Sequence, residues 1–358
     1  MPEPFETLPA DALSPDLVAR WHALQAQSPA LANPFFSPGF TQAVGRHRPD
    51  LRVAVLRDGN TVTGLFPFHR KPGGCGAPVG GQISDYQGVI AAPDSLPDAG
   101  DLLVAAGLGA YDFNHALAEQ APFAAGAFWH SASPRADLSD GIEAWRGEVR
   151  ARSSALKTLE RKRRKLTREL GELRFLAHDP SAAAWQSFLD WKARSLGKQG
   201  VRGFLAEPWL AGLIDDLRAT QEPEFGGYLS TLYAGDRLVA VHFGLRSARV
   251  WHWWFPTYDE ELGSYSPGLI LMLLCIEEAA ATGMIELDFG RGTQRYKREF
   301  SNRSRPLCEG SLERWTRPCG TLRGLRKFGQ GAANRLLPRK GADFTRRAGT
   351  KLLRAGLI

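Results

Sequence analysis

Between Tyr265 and Phe300 the chain reads YSPGLILMLLCIEEAAATGMIELDFGRGTQRYKREF and concentrates the residue types that proton transfer and anion stabilisation require. The Asp288 carboxylate could accept a proton, and the Lys297 ammonium could stabilise an oxyanion or a substrate phosphate. Tyr296, beside it, brings a phenol that can donate. Two loops add backbone donors: Ser266, Pro267 and Gly268 open a helix at Leu269, and Gly290, Arg291 and Gly292 open a short basic turn. N–H groups at such helix starts form anion cradles. His242 carries the one side chain whose ordinary pKa suits a base near neutrality. Each residue also has a plainer use. Asp288 could anchor the Gly290-Arg291-Gly292 turn, and Lys297 could share a solvated face with Arg295 and Arg298. His242 could be a structural histidine on a face with Leu238, Ala240 and Gly244. Ser266-Pro267-Gly268 could be an ordinary helix start.

Several elements must position these groups. A helix from about Leu269 to Thr282 is stopped by Gly283, and a strand follows from Ile285 to Phe289. Before them a meander is expected over Tyr228–Tyr233, Arg237–Leu245 and Arg249–Phe255, with turns at Ala234-Gly235-Asp236 and Arg246-Ser247-Ala248. Residues 182–218 form two helices, with Trp185, Phe188, Leu189, Trp209, Leu213 and Leu217 at helical spacing. Residues 140–171 are helical and strongly basic, and Gly171 ends them. Toward the N-terminus, an amphipathic helix carrying Leu17, Trp21 and Leu24 leads through NPFFSPGF into another helix. A hairpin then runs from Leu51 to Leu56 and from Thr61 to His69. The Gly-rich stretch KPGGCGAPVGGQISDYQG is too irregular for a core element. The hairpins VLRDGNTVTGLFPFHR and TLYAGDRLVAVHFGLR share a Gly/Asp turn, an alternating strand and a terminal Arg, which suggests an internal duplication.

At 358 residues and 43% hydrophobic content the chain can build two cored domains. Its net charge of +7 is unevenly spread. From Thr321 onward ten Lys or Arg stand against Asp343, a net +9 that leaves the remainder at −2. The high pI thus describes an appended tail, and the folded body is not expected to bind nucleic acid. In the tail, Leu322, Leu325, Phe328, Ala332 and Leu336 recur at helical spacing among arginines, as in helices that lie on anionic membrane surfaces. Cys75, Cys275, Cys308 and Cys319 lack metal-ligand spacing, so free thiols and no metal are expected. Neither a signal peptide nor a membrane span is evident, so a cytoplasmic protein held peripherally at the inner membrane face is expected.

The element order over residues 175–318 resembles the GNAT N-acyltransferase superfamily. Ser266-Pro267-Gly268, Asp288-Phe289-Gly290 and Tyr296-Lys297-Arg298-Glu299-Phe300 more closely resemble the CelD/BcsL-type acetyltransferases associated with cellulose biosynthesis, which are related to Fem-type peptidoglycan aminoacyltransferases. The resemblance covers residues 140–315, with weaker support from the Asp85-Tyr86 loop. It implies an α/β (α+β) chain of two tandem GNAT-like domains with mixed central sheets flanked by helices. The divisions are an acceptor-side domain at 1–140, a basic linker helix at 141–171, an acyltransferase domain at 172–320 and a basic tail at 321–358.

The resemblance further implies acyl transfer to an amine, with acyl-CoA as co-substrate and no tightly bound cofactor. The donor would lie between strands Arg249–Phe255 and Ile285–Phe289, its phosphates at Ser266 to Leu269. The Arg/Gln-x-x-Gly-x-Gly/Ala pyrophosphate loop of typical GNAT enzymes is absent, and Tyr265-Ser266-Pro267-Gly268 stands in its place. Tyr296 could donate to the leaving thiolate. Trp254, in the run Trp251 to Phe255, could line an acyl or sugar pocket, although core packing would give the same pattern. Ser84, Asp85 and Tyr86 could meet the acceptor between the domains. The cations Arg161, Lys162, Arg163, Arg164, Lys165 and Arg168 could hold anionic phosphates. An amino sugar of an exopolysaccharide precursor is the expected acceptor. Alternatives are a sphingoid base acylated to ceramide, Fem-type transfer from aminoacyl-tRNA, and an inert GNAT-like module that binds an anion or a membrane.

Overall fold

The computed structural model describes residues 6–198, 200, 207–314, 316 and 320–321. The expected basic tail falls outside them, apart from Thr321. Fourteen strands among the described residues join one sheet: β1 (Glu6–Leu8), β2 (Leu51–Asp58), β3 (Thr61–Lys71), β4 (Cys75–Ala77), β5 (Ile90–Ala91), β6 (Ala110–Leu117), β7 (Ala127–Asp137), β8 (Leu173–Leu176), β9 (Gln221–Glu222), β10 (Phe225–Ala234), β11 (Arg237–Ser247), β12 (Val250–Tyr258), β13 (Glu286–Asp288) and β14 (Arg303–Glu313). The helices are α1 (Pro15–Gln25), α2 (Pro38–His47), α3 (Ala99–Ala105), α4 (Ala121–Gly126), α5 (Ile142–Arg152), α6 (Ala155–Leu170), α7 (Ala182–Lys198), α8 (Pro208–Ala219), α9 (Pro267–Ala281) and α10 (Arg295–Phe300). A 3-10 turn at Pro34–Phe36 joins α1 to α2.

The duplication seen in the two hairpins extends into the topology. In the first half the hairpin β2–β3 leads to β4, helix α3 follows, and β6 returns parallel to β4, with Cys75 beside Ala110. In the second half β10–β11 leads to β12, α9 follows, and β13 returns parallel to β12, with His252 beside Asp288. The mixed α/β sheet flanked by helices is therefore laid down twice.

The sheet does not break where the sequence places a boundary. Its order is β1-β2-β3-β4-β6-β14-β7-β13-β12-β11-β10-β8. Strand β14, late in the chain, sits between β6 and β7, while β7 of the first half lies against β13 of the second. Each half thus hands its last strand to the other. One hydrophobic core spans both halves on one sheet face, from Trp21, Phe35 and Phe40 to Phe188, Leu213 and Phe243. The opposite face of the second half packs Trp145, Leu159, Leu271 and Trp251 beneath α5, α6 and α9.

Three local expectations need correction. The basic segment is two helices, because Ser153 adopts an extended conformation and closes α5 before α6 begins. The Gly-rich stretch is irregular yet buried: Ile83, Ser84 and Tyr86 are 3%, 1% and 2% exposed. Cys75 is disulfide-bonded, so the free-thiol expectation fails there, whereas Cys275 and Cys308 are free and buried.

Candidate active site

Strands β12 and β13 pair only from Val250–Glu286 to His252–Asp288. Beyond that point β13 ends while β12 continues to Tyr258. At this fork stands a polar cluster that periodicity alone would not disclose. His252 is fully buried, with Nε2 2.9 Å from Asp85 Oδ2 and Nδ1 3.4 Å from Asp288 Oδ1. Asn33 Nδ2 lies 3.3 Å from His252 Nδ1, and Asn33 Oδ1 accepts the Phe35 N–H. That second bond fixes the amide with its NH2 toward the ring. A neutral imidazole then accepts at Nδ1 from Asn33 and donates from Nε2 to Asp85. The ring edge is held by Phe35, whose centroid is 5.0 Å away.

Asp288 is the hub beneath. It is fully buried, and its carboxylate accepts from Ser133 Oγ at 2.8 Å, from the Gly290 N–H at 2.7 Å and from the Tyr86 hydroxyl. Arg305 lies 3.7 Å away and forms a two-pronged pair with Glu286 at 2.9 and 3.0 Å. Burial, followed by the Asp288 charge, raises the Tyr86 phenol well above its ordinary value, so it remains a donor. Ser133 comes from β7 and Arg305 from β14, so the exchanged strands deliver them. Among the described residues the hub is thus closed to solvent.

Asp85 is the cluster's way out, with a side chain 26% exposed. Burial works to raise its carboxyl. The His252 hydrogen bond, together with the Lys297 charge, holds it below the ordinary carboxylate range. His115 Nε2 stands 4.0 Å from the other Asp85 oxygen, and burial pushes that imidazole down to about 4, leaving it neutral. Gly290 backs directly onto this pair. Its φ is 70°, and a Cβ there would lie 2.9 Å from Asp85 Oδ2, so no other residue fits without displacing the carboxylate.

Lys297 is nearly buried and gives two of its protons to the carbonyls of Gly290 (2.9 Å) and Arg291 (3.0 Å). Burial lowers its pKa against the pull of Asp85 and Asp288. The Gly290-Arg291-Gly292 loop therefore presents carbonyls inward, and its Gly290 N–H is taken by Asp288. This corrects the expected anion cradle. Arg291 instead ties the loop to β6 through the Asn114 carbonyl at 2.6 Å. Tyr296 packs against Phe289, and burial, followed by the Asp85 charge, pushes its phenol up to about 12.

The α9 start also differs from expectation. Ser266 adopts φ 57°, its N–H donates to Gly263, and Leu269 N–H returns to the Ser266 carbonyl. Pro267 has no N–H, so Gly268 is the one residue of the four whose N–H stays out of the turn. Helix α6 supplies a cation instead: Lys162 Nζ donates to Ser266 Oγ at 2.8 Å. An ammonium at the positive end of a helix dipole is unfavourable unless an anion joins it.

The candidate base His242 and the candidate pocket residue Trp254 lie elsewhere. His242 is fully buried, stacks on Trp253 at 3.8 Å, and accepts the Trp254 N–H at Nε2, 3.1 Å. Burial drives its pKa well down, and among the described residues no hydrogen bond joins it to Asp85, His252 or Asp288. Trp254 is 8% exposed and donates to the Ile83 carbonyl, as a core side chain does.

Comparison with known proteins agrees with this geometry. Residues 153–298 match the family described as "Acetyltransferase (GNAT) domain", and the fork between β12 and β13 falls within the matched stretch. The fold is similar to the crystal structure of FemX, with a TM-score of 0.56 at 9% identity, covering 86% of this chain and 96% of that one. A conserved protein of unknown function from Bacteroides thetaiotaomicron VPI-5482 overlays with a TM-score of 0.51 at 11% identity, covering 86% and 99%. At such identities the likeness is one of fold. Comparison with curated proteins found no match.

Proposed function

We propose that the protein is an N-acyltransferase that moves an acyl group from acyl-CoA to the amine of a cell-envelope precursor, with an amino sugar of an exopolysaccharide as acceptor. The observation that carries the reading is the Asp85–His252–Asp288 chain at the fork, within the stretch that matches the GNAT acetyltransferase family. The acceptor ammonium meets Asp85, the carboxylate that opens to solvent, and loses its proton there or to water. The amine nitrogen then attacks the thioester carbonyl, the N–C bond forms and the C–S bond breaks. Lys297, with one N–H beyond its two carbonyl partners, stabilises the oxyanion. Tyr296 remains protonated near neutrality, gives the thiolate its proton, and is restored by the proton that the nitrogen releases as the amide forms. His252 touches no reacting atom in this scheme; it holds Asp85, and Asn33 and Asp288 hold it. Lys162 and Gly268 receive the donor phosphates at the α9 start.

A Fem-type reading, with aminoacyl-tRNA as donor, is the rival that the FemX-like fold and the basic helix α6 favour. The two separate on the donor. Purified protein is assayed for thiol release from acetyl-CoA with glucosamine as acceptor, beside Asp85→Asn and His252→Gln. The proposal expects release that depends on the amine and falls by roughly 10²–10⁴-fold in Asp85→Asn, the range for loss of a general base. His252→Gln should lower kcat with little change in the KM for acetyl-CoA. Release unaffected by either substitution would overturn the assignment.

A further inference from the structure

The two halves treat the same pair of parallel strands differently, and the difference falls beside Asp85. In the second half β12 and β13 part after His252–Asp288, and β12 runs on to Tyr258. In the first half β4 and β6 part after Gly76–Tyr111, and the chain leaves the sheet through residues 78–86. It then returns. Gln87 pairs with Ala116 in the parallel sense, its N–H donating to the His115 carbonyl and its own carbonyl accepting the Leu117 N–H, each at 3.0 Å. Strand β5 resumes the antiparallel pairing with β3 that β4 began. The fork that stays open in the second half is therefore shut in the first by the chain itself.

Gln87 is the clasp. It is 4% exposed, and its Oε1 accepts the backbone N–H of Asn114 at 2.9 Å and of His115 at 3.1 Å, while its Nε2 donates to Asn114 Oδ1 at 2.5 Å. An aliphatic residue here would leave two adjacent N–H groups of β6 without this acceptor. Gln120 adds a second clasp, accepting the Val89 N–H at 2.8 Å and donating to the Val89 carbonyl at 2.7 Å. The excursion thus closed off carries Asp85 and Tyr86 to the other half. There the Trp254 indole N–H holds the Ile83 carbonyl at 3.1 Å. Asp85 hangs between these anchors, two residues after Ile83 and two before Gln87. Gln87 also fixes His115, whose Nε2 is 4.0 Å from Asp85. A functional carboxylate on a loop needs such support, because small displacements of a reacting group are costly.

We infer that Gln87 is a positioning residue: by closing the first half's fork it fixes Asp85 against His252, and it leaves one donor slot per chain, between β12 and β13. Gln87 itself touches no reacting atom. Its bearing on catalysis rests on the reading of Asp85 as the group that meets the acceptor amine.

The test compares Gln87→Met, which keeps the length and removes both polar atoms, with Gln87→Glu. The Glu carboxylate still accepts from both backbone N–H groups, and the Asn114 amide can turn its NH2 toward it. Nuclear magnetic resonance of the whole protein, labelled in its histidines, reads the Asp85–His252 hydrogen bond as a slowly exchanging downfield Nε2 proton, assigned by its loss in His252→Gln. The expected result is a signal kept in Gln87→Glu and lost or moved upfield in Gln87→Met. Asn114→Ala, which removes only the Nε2 partner, gives a smaller upfield shift and serves where Gln87→Met does not fold. In the thiol-release assay, kcat of Gln87→Met falls by roughly 10²-fold with the KM for acetyl-CoA unchanged, and Gln87→Glu restores it. Calorimetry gives one donor per chain throughout. An unmoved histidine signal in Gln87→Met or Asn114→Ala would overturn the inference, whatever the protein transfers. So would two donors per chain. Absence of thiol release from the unaltered protein, with the signal still lost in Gln87→Met, would overturn the acyl-CoA reading and support the clasp.

Discussion

Replacing Asp288 by Asn removes a charge and little volume, so its cost reports how the carboxylate is used. Oxygen Oδ1 accepts from Ser133 and the Gly290 N–H, while Oδ2 faces the Tyr86 hydroxyl and Arg305. An amide can keep only one of these sides. With its oxygen toward Ser133 and Gly290, its NH2 opposes two donors. Tyr86 loses a hydrogen bond to a charged acceptor, worth about 1.5–3 kcal/mol, and must turn to accept from the amide, while Arg305 faces an NH2 in place of a carboxylate at a further cost of about 1–3 kcal/mol. Removing one member of a buried charged network falls in a similar range, about 3–5 kcal/mol. We therefore expect Asp288→Asn to lose about 3–5 kcal/mol, read by urea unfolding through tryptophan fluorescence with the m-value unchanged. That is a large share of the roughly 5–15 kcal/mol that holds a typical domain. A loss below about 1 kcal/mol would refute the view that Asp288 is the anchored hub of the fork.

Other outcomes follow from the same geometry. Lys162→Ala should raise the KM for acyl-CoA by roughly tenfold with kcat held, since one charge-assisted contact is lost; an unchanged KM would remove Lys162 from the donor site. Arg305→Met should destabilise by about 3–5 kcal/mol by leaving the buried Glu286 with Arg135 as its one remaining cation, and Arg305→Met with Glu286→Leu should recover much of it; chemical denaturation of both variants decides. His115 has a folded pKa of about 4 against 6.5 unfolded, so between those values the unfolded chain takes a proton that the folded chain refuses. Stability is complete above pH 6.5 and falls as the pH drops toward 4, by up to ~3 kcal/mol from this group. His115→Gln should flatten that slope, leaving the part due to His69 and His242, which shift in the same direction. An unaltered pH–stability curve would show that His115 is not held neutral.

Much of the architecture was legible because local chemistry and the tertiary fold agree. The turns at Gly59, Gly235 and Gly283 all adopt positive φ, and the meander, both hairpins and helix α9 lie within a few residues of where alternation and capping place them. Strand exchange was not legible, since nothing in the alternation of β7 or β14 names a partner from the other half. That concealment explains the site. Asp288 stood out as a carboxylate at the end of an apolar strand, Lys297 as a cation on the short basic helix after it, and Asp85 and Tyr86 in a Gly-rich loop. Asn33, His115, Ser133 and Arg305 come from separate elements that meet only once the sheet has closed. His252 was hidden inside the run Trp251 to Phe255, which suited an acyl or sugar pocket and a core strand alike. One signal could have singled it out: as β12 and β13 run parallel, it falls beside Asp288. His242, more conspicuous by its strand position, proved to be packed away.

The most direct test of the account is calorimetric titration of the purified protein with CoA, acetyl-CoA and palmitoyl-CoA, with aminoacyl-tRNA at moderate salt as the comparison. The account predicts saturable binding of a CoA thioester, with a preference for one acyl length that also fixes the donor class. No heat with any CoA species, together with binding of the charged tRNA, would contradict it and assign the fork to a different donor.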